Sequence, residues 1–311
     1  MDLSIRNVTK SFSTPEDTQV QAYPRYLTAP ALLFIAIMVG GPMAVVVLYS
    51  FRTRGPSGVG VGDGFTTAAY ERLFFSQDFS GNITFDPTDL RIIWLSILLA
   101  AITTAIALLI GFPTAVWISN RSARWRQLLV LAVTIPFWTS QLVRTYAWIV
   151  ILRDSGPLTA MISNLGFEPP QMLYTPGATL IGLTYTFLPF MILPIYAAAE
   201  RFDHRLAEAA LDLGASQLTV LRRIIWPNVR AGVTAGCLLV FIPAIGAFLQ
   251  PELLGGGRSI MIGNLIQQQF GASRNWPHGS ALALLLLLVV GVVLFSAQRA
   301  IQKSGNELEL I

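Results

Sequence analysis

Long apolar runs alternate with short polar segments along this chain. Runs near the roughly 20 residues needed to cross a bilayer core recur at 27–51, 92–118, 128–152, 180–199, 232–250 and 280–297. They predict six transmembrane spans. The second and third are parted only by a basic stretch at 119–127, and the fourth contains Pro189 and Pro194. An unpaired backbone group in lipid costs several kcal/mol, so a spanning segment is either a helix or a strand of a closed barrel. Barrel strands alternate polar and apolar residues, which 282–290 does not. The expected fold is therefore an all-α integral membrane protein. The first run is about twice an ordinary signal-peptide core and follows a polar stretch, so it is expected to be a retained helix. This divides the chain into an N-terminal tail at 1–26, a transmembrane domain at 27–302 and a C-terminal tail at 303–311.

Composition agrees with the bilayer as solvent. Hydrophobic residues make up 53% of the 311 positions and charged residues 12%, with a mean hydropathy of +0.59. That leaves too little polar surface to cover a soluble globule. Basic residues set the orientation. With the N-terminus in the cytoplasm, Arg6, Lys10, Arg25, Arg121, Arg124, Arg126, Arg201, Arg205, Arg222, Arg223, Arg230, Arg299 and Lys303 lie inside. Fewer lie outside: Arg52, Arg54, Arg72, Arg91, Arg153, Arg258 and Arg274. Both termini are expected in the cytoplasm. The net charge of +4 is spread over loops, so lipid rather than nucleic acid is the expected charged neighbour. The only cysteine, Cys237, precludes an intrachain disulfide, and His204 and His278 fall on opposite sides of the membrane in this topology, which leaves no metal or catalytic constellation.

The most informative segment is the loop at 200–230. Its pattern predicts two short helices joined by a sharp turn. Asp203 is a fitting N-cap, Leu206, Ala210 and Leu213 form an apolar stripe, and Gly214 stands where a left-handed residue would end the helix. Ser216 caps a second helix expected to run to Trp226, with Pro227 just before the chain turns into the fifth span. A short helix bearing small Ala209 and Ala210 beside Glu208 suits docking into a groove of a soluble partner. The residues alone equally allow an amphipathic helix resting on lipid headgroups.

Glu208-Ala209-Ala210, then Gly214, Ile224 and Pro227 resemble the EAA loop of ABC-importer permeases, with Trp226 where that pattern usually has leucine. The run from Pro136 to Trp148, the Arg153-Asp154-Ser155-Gly156-Pro157 exit, and segments such as Pro251-Glu252-Leu253-Leu254-Gly255-Gly256 are similar to the first permease subunit of the spermidine/putrescine group. In the fifth span, Ala247 stands between Gly246 and Phe248, where polyamine members carry an acidic residue. The resemblance implies a type I importer (MetI-like) permease fold in the bacterial inner membrane. It also implies a coupling helix whose residues Glu208, Ala209, Ala210, Leu213, Gly214, Ile224 and Pro227 dock an ATPase. Implied partners are a second homologous permease in a heterodimer, two ATPase copies and a periplasmic binding protein meeting the loops at 52–91 and 251–279. The implied solute is spermidine or putrescine, or a related opine, aminophosphonate or amino-acid derivative.

Polar residues within spans mark a candidate path. Arg144 is costly in a helix unless paired or facing a wet cavity; a structural pairing and a substrate contact are both open. Trp138, Thr139, Ser140, Gln141 and Tyr146 share its span, and an aromatic wall with hydroxyls suits an organic cation, although aromatics at these spacings are more often plain packing. Asp154 stands near the outer end. Gly255-Gly256-Gly257-Arg258-Ser259 lacks the Gly-Lys-Ser/Thr ending of a phosphate loop. The chain is therefore expected to bind no cofactor and to be no enzyme, with ATP and Mg held by a separate subunit. A secondary transporter or channel is the rival reading, but the spans carry almost no carboxylates and show no inverted repeat.

Overall fold

A computed structural model describes residues 25–56, 58–77, 82–203 and 205–306. His204, most of the 1–26 tail and 307–311 lie outside the described residues. The chain divides into two units at Val45–Val46. Helix α1 (Arg25–Ser50), most of it in the first unit, is apolar from Ala29 to Leu48 and carries Pro30 and Pro42, and its side chains at 29–45 are exposed.

The second unit begins at the end of α1. The segment between α1 and the next span folds into β1 (Arg52–Arg54) paired antiparallel with β2 (Val61–Phe65), the short helix α2 (Ala68–Glu71), and β3 (Phe75–Gln77) paired with β4 (Ile83–Phe85). The spans follow. Helix α3 (Thr88–Ser119) starts where Asp86 accepts hydrogen bonds from the hydroxyl and backbone N–H of Thr88, contacts that hold the Asp86 carboxyl below the usual carboxylate range. Helices α4 (Ala123–Thr134), α5 (Gln141–Leu152), α6 (Pro157–Asn164) and α7 (Pro176–Glu200) come next. After the loop that follows α7 come α10 (Trp226–Ile245), the short α11 (Leu249–Gly255) and α12 (Ile262–Phe270), and α13 (Trp276–Asn306).

Among the described residues, five helical stretches are long and apolar enough to cross a membrane, and a sixth qualifies if its bent pair is one span. That pair is the expected third span. Rather than one helix over 128–152, α4 passes through a 3-10 turn at Ile135–Trp138 and meets α5 at a 93° bend. The cause is local: Pro136 has no N–H to donate, and Thr139 and Ser140 are extended. The Thr139 hydroxyl and N–H both donate to the Pro136 carbonyl, at 2.8 and 3.3 Å, which satisfies one carbonyl freed by the break. At the other end, α13 continues to Asn306, so helix occupies the start of the segment expected as a C-terminal tail.

Helices α3, α7 and α10 make the core, around Leu99, Ala107, Leu183, Met191, Ile195 and Val240. Small residues let them approach. Gly232 and Gly236 lie one turn apart on α10; a Cβ on Gly232 would stand 2.6 Å from the Pro194 carbonyl and 2.7 Å from the Ala198 methyl, and one on Gly236 would stand 2.9 Å from the Met191 sulfur. Backbone contact of this kind replaces the hydrophobic drive that lipid cannot supply between helices. Buried Ser96 links α3 to α12 by donating to the Ile92 carbonyl and accepting the Ile262 N–H, each at 2.7 Å. The Gly232→Val variant is expected to lose about 1–3 kcal/mol through overpacking, read as a lower unfolding temperature in detergent. Gly40→Val, whose Cβ meets nothing within 4 Å, should leave that temperature unchanged.

Candidate functional site

The loop between α7 and α10 is built from local rules. Helix α8 (Arg205–Asp212) starts where Asp203 accepts the Arg205 N–H on its carboxylate at 3.0 Å and the Leu206 N–H on its carbonyl at 3.1 Å. It ends in a Schellman turn. Ala215 N–H donates to the Ala210 carbonyl, Gly214 N–H donates to the Leu211 carbonyl, and Gly214 has φ +84°. Ser216 then caps α9 (Gln217–Val220), its hydroxyl accepting the Thr219 N–H at 3.2 Å.

One expectation is corrected here. The second helix does not stop at Trp226: α9 runs through a π turn at Leu221–Ile225 directly into α10, so 217–245 is one continuous helical path. The wider turn, in which Trp226 N–H reaches the Leu221 carbonyl, comes immediately before Pro227, which has no N–H to contribute to a regular turn. The helical path from Gln217 to Ile245 therefore has no break between the loop and the span.

The expected docking residues lie on one exposed surface stretch. Glu208, Ala209, Gly214 and Pro227 are exposed, Ala210 and Ile224 are half-buried, and Leu213 is 89% exposed. Leu206 and Leu213, two turns apart, leave an apolar stripe on α8 uncovered. Beneath the loop, the Trp226 ring meets the Phe112 ring of α3 at 5.5 Å, beside a cavity of about 480 Å³ lined also by Leu218 and Leu221. Arg126 of α4 and Glu200 at the end of α7 approach to 3.2 Å; both are partly exposed, which limits the pair to about 1 kcal/mol or less. Sequence reasoning missed these anchors, whose partners lie far apart in the chain.

The candidate path residues do not form one wall. Arg144 is half-buried, its guanidinium lies 5.5 Å from the Phe137 ring, and its Nε–H is buried without a partner. At 3.6 residues per turn, Tyr146 points about 160° away from Arg144, and its side chain is exposed. Trp138, at the bend, is 78% exposed, and Gln141 is exposed at the start of α5. The Thr139 hydroxyl is spent on the Pro136 carbonyl, and Asp154 is exposed beyond α5.

Further polar groups gather at the other end of the spans. Buried Gln250 of α11 donates to the Thr186 hydroxyl of α7 at 3.1 Å. Glu252, Asn264, Gln267 and Gln268 edge a cavity of about 360 Å³ between α11 and α12. His278 is held between the Asp89 carboxylate, 3.0 Å from Nε2, and the Ala69 carbonyl, 3.2 Å from Nδ1. Among the described residues no group of three or more His, Cys, Asp or Glu is placed to hold a metal ion.

Comparison with known proteins identifies the family and the fold. Residues 107–304 match the family described as binding-protein-dependent transport system inner membrane component. The chain is 42% identical over 228 residues to the spermidine/putrescine transport system permease protein PotB of Haemophilus influenzae, covering 73% of this chain and 80% of that one. To PotB of Escherichia coli K12 it is 36% identical over 281 residues, covering 89% and 97%. Among solved structures, a chain of a bacterial alginate ABC transporter in complex with an alginate-bound periplasmic protein superposes with a TM-score of 0.70 at 15% identity, covering 88% and 91%. That likeness establishes the fold alone. The Trp226→Ala variant is expected to raise amide hydrogen exchange across 217–226 by loosening the loop from Phe112, while exchange in the α3–α7–α10 core stays at the wild-type level.

Proposed function

We propose, from the premise that this chain belongs to the binding-protein-dependent transport system inner membrane components, that it carries a polyamine of the spermidine/putrescine class through the bacterial inner membrane. The observation that carries the solute is the 36–42% identity, over most of the chain, to permeases named for spermidine and putrescine. Relatives of this kind are transport permeases rather than enzymes, and energy comes from an ATPase on separate subunits.

The geometry supports a division of labour. The exposed α8, with Glu208 as a charged contact and Leu206 and Leu213 as apolar ones, docks into a groove of the ATPase. Two ATPase copies and a second, homologous permease complete the transporter, and a periplasmic binding protein delivers solute to the outer loops. When the ATPases close on nucleotide, they draw the two α8 knuckles together. The unbroken path from Ser216 through the π turn carries that displacement into α10, and the tight α10–α7 contact passes it to the spans around the solute path. Nucleotide shifts the balance between inward-facing and outward-facing states by its differential affinity for the two. Trp138, Gln141 and Tyr146 on the exposed side of α5 face the second permease or the solute, and both termini lie in the cytoplasm.

Co-purification of the tagged chain with its ATPase, paired with uptake of labelled spermidine and putrescine, tests the reading. Glu208→Lys is expected to reduce ATPase recovery by about tenfold or more, because reversing a docked charge costs on the order of 2 kcal/mol. Gly214→Pro should abolish recovery, since proline fixes φ near −65° where the turn requires +84°. Uptake should fall in step, with the variants still inserted in the membrane. Wild-type recovery and uptake in both variants would sink the docking assignment; uptake of another amino solute with none of spermidine or putrescine would sink the polyamine assignment alone.

A further inference from the structure

At the end of α3 remote from the docking loop, a cavity of about 150 Å³ is lined by Arg52, Arg54 and Arg72, with His278, Asn275 and Thr66. No carboxylate is among its described lining residues. Two of the guanidiniums are fixed by the fold and keep spare donors. Arg52 lies 4.7 Å over the Phe65 ring and donates one Nη1–H to the Asp63 carbonyl at 2.6 Å; Arg54 donates through Nη2 to the Ser273 carbonyl at 2.9 Å. A guanidinium carries five N–H donors, so these contacts leave most of each fork unspent. Arg72, at the end of α2, is exposed. The Asp89 carboxylate lies 3.0 Å from Nε2 of the lining residue His278, and the Glu71 carboxylate accepts the Thr67 hydroxyl.

The level of this cavity in the molecule identifies its occupant. Asp89, which holds His278, and Phe112, which meets Trp226 under the docking loop, are separated by 23 positions of α3 (112 − 89), or about 35 Å of helix. That is close to the thickness of a bilayer's hydrocarbon core, so the arginines stand at the opposite membrane boundary from α8. Aromatic rings mark the same boundary: Tyr49 and Trp276 pair at 6.1 Å, and Phe51 and Tyr70 pair at 5.2 Å. Trp276 directly precedes the lining residue Pro277, and both it and Phe51 are more than a third exposed. Tyr and Trp favour the headgroup layer, and guanidinium forks match phosphate oxygens in pairs.

We infer that the Arg52–Arg54–Arg72 cavity binds the phosphate of an anionic phospholipid in the leaflet opposite the docking loop, clamping the hairpin β1–β2 and α2 to the start of α13. Native mass spectrometry of the purified full-length chain, exchanged from phosphatidylglycerol or phosphatidylcholine micelles, tests it. The wild type is expected to retain phosphatidylglycerol in preference to phosphatidylcholine. The Arg52→Gln/Arg72→Gln double variant should retain about tenfold less, as the loss of two charge-assisted contacts implies. Arg72→Gln alone, at an exposed side chain, should show an intermediate loss with an unchanged unfolding temperature. Added inorganic phosphate distinguishes the free anion: binding of phosphate with no lipid preference overturns the assignment. So does retention of phosphatidylglycerol by the double variant together with loss of binding-protein association, which would make the cavity a seat for a protein carboxylate.

Discussion

Hydrocarbon offers no replacement for a lost backbone hydrogen bond, and every feature of this chain is arranged around that constraint. The spans are helices because helices satisfy their own backbone. Where a helix must break, the freed group is met locally: Thr139 donates twice to the Pro136 carbonyl at the 93° bend between α4 and α5. Where helices must associate, lipid supplies no hydrophobic drive between them, so close packing takes over. Gly232 and Gly236 bring α10 onto the backbone of α7, and α3 closes the three-helix core. The result is a close-packed three-helix core of α3, α7 and α10.

The loop between α7 and α10 shows how short-range chemistry can leave a short helix exposed. A Schellman turn at Gly214 and the Ser216 cap fix the angle between α8 and the following helix, leaving α8 amphipathic and uncovered. The π turn at Leu221–Ile225 keeps the path helical into Pro227, where a regular turn would lose a hydrogen bond, and the Phe112–Trp226 contact seats the loop against α3. An exposed apolar stripe such as Leu206–Leu213 is disfavoured in water, which is the physical reason for a partner to cover it. The 15% identity of the alginate-transporter chain, against a TM-score of 0.70, indicates that this scaffold outlasts most of its sequence.

What was legible in the sequence was what is encoded over one or two turns. Apolar run length located the spans, and Gly214 and Ser216 marked their turn and cap because those geometries depend on residues three to five positions apart. Pro136 lies where the third span breaks, but α7 carries Pro189 and Pro194 without breaking, so a proline alone did not mark the sharp bend at Thr139–Ser140. The continuous helix through Pro227 was missed because a proline next to a π turn reads, locally, as a stop. The pairs Phe112–Trp226, Arg126–Glu200 and Asp89–His278 join distant segments and left no mark in the periodicity. Polar residues crowded into one span looked like a single lining, whereas helical geometry sends Arg144 and Tyr146 to different sides.

The central claim is that α8 is uncovered in the chain alone and covered by an ATPase in the assembled transporter. Thiol labelling of Leu213→Cys in a Cys237→Ala background, on inverted membrane vesicles with and without the co-expressed ATPase, measures this directly. The account predicts rapid labelling of the chain alone from the cytoplasmic face and strong protection when the ATPase is present. Equal labelling in both samples, or labelling only from the opposite face, would contradict it.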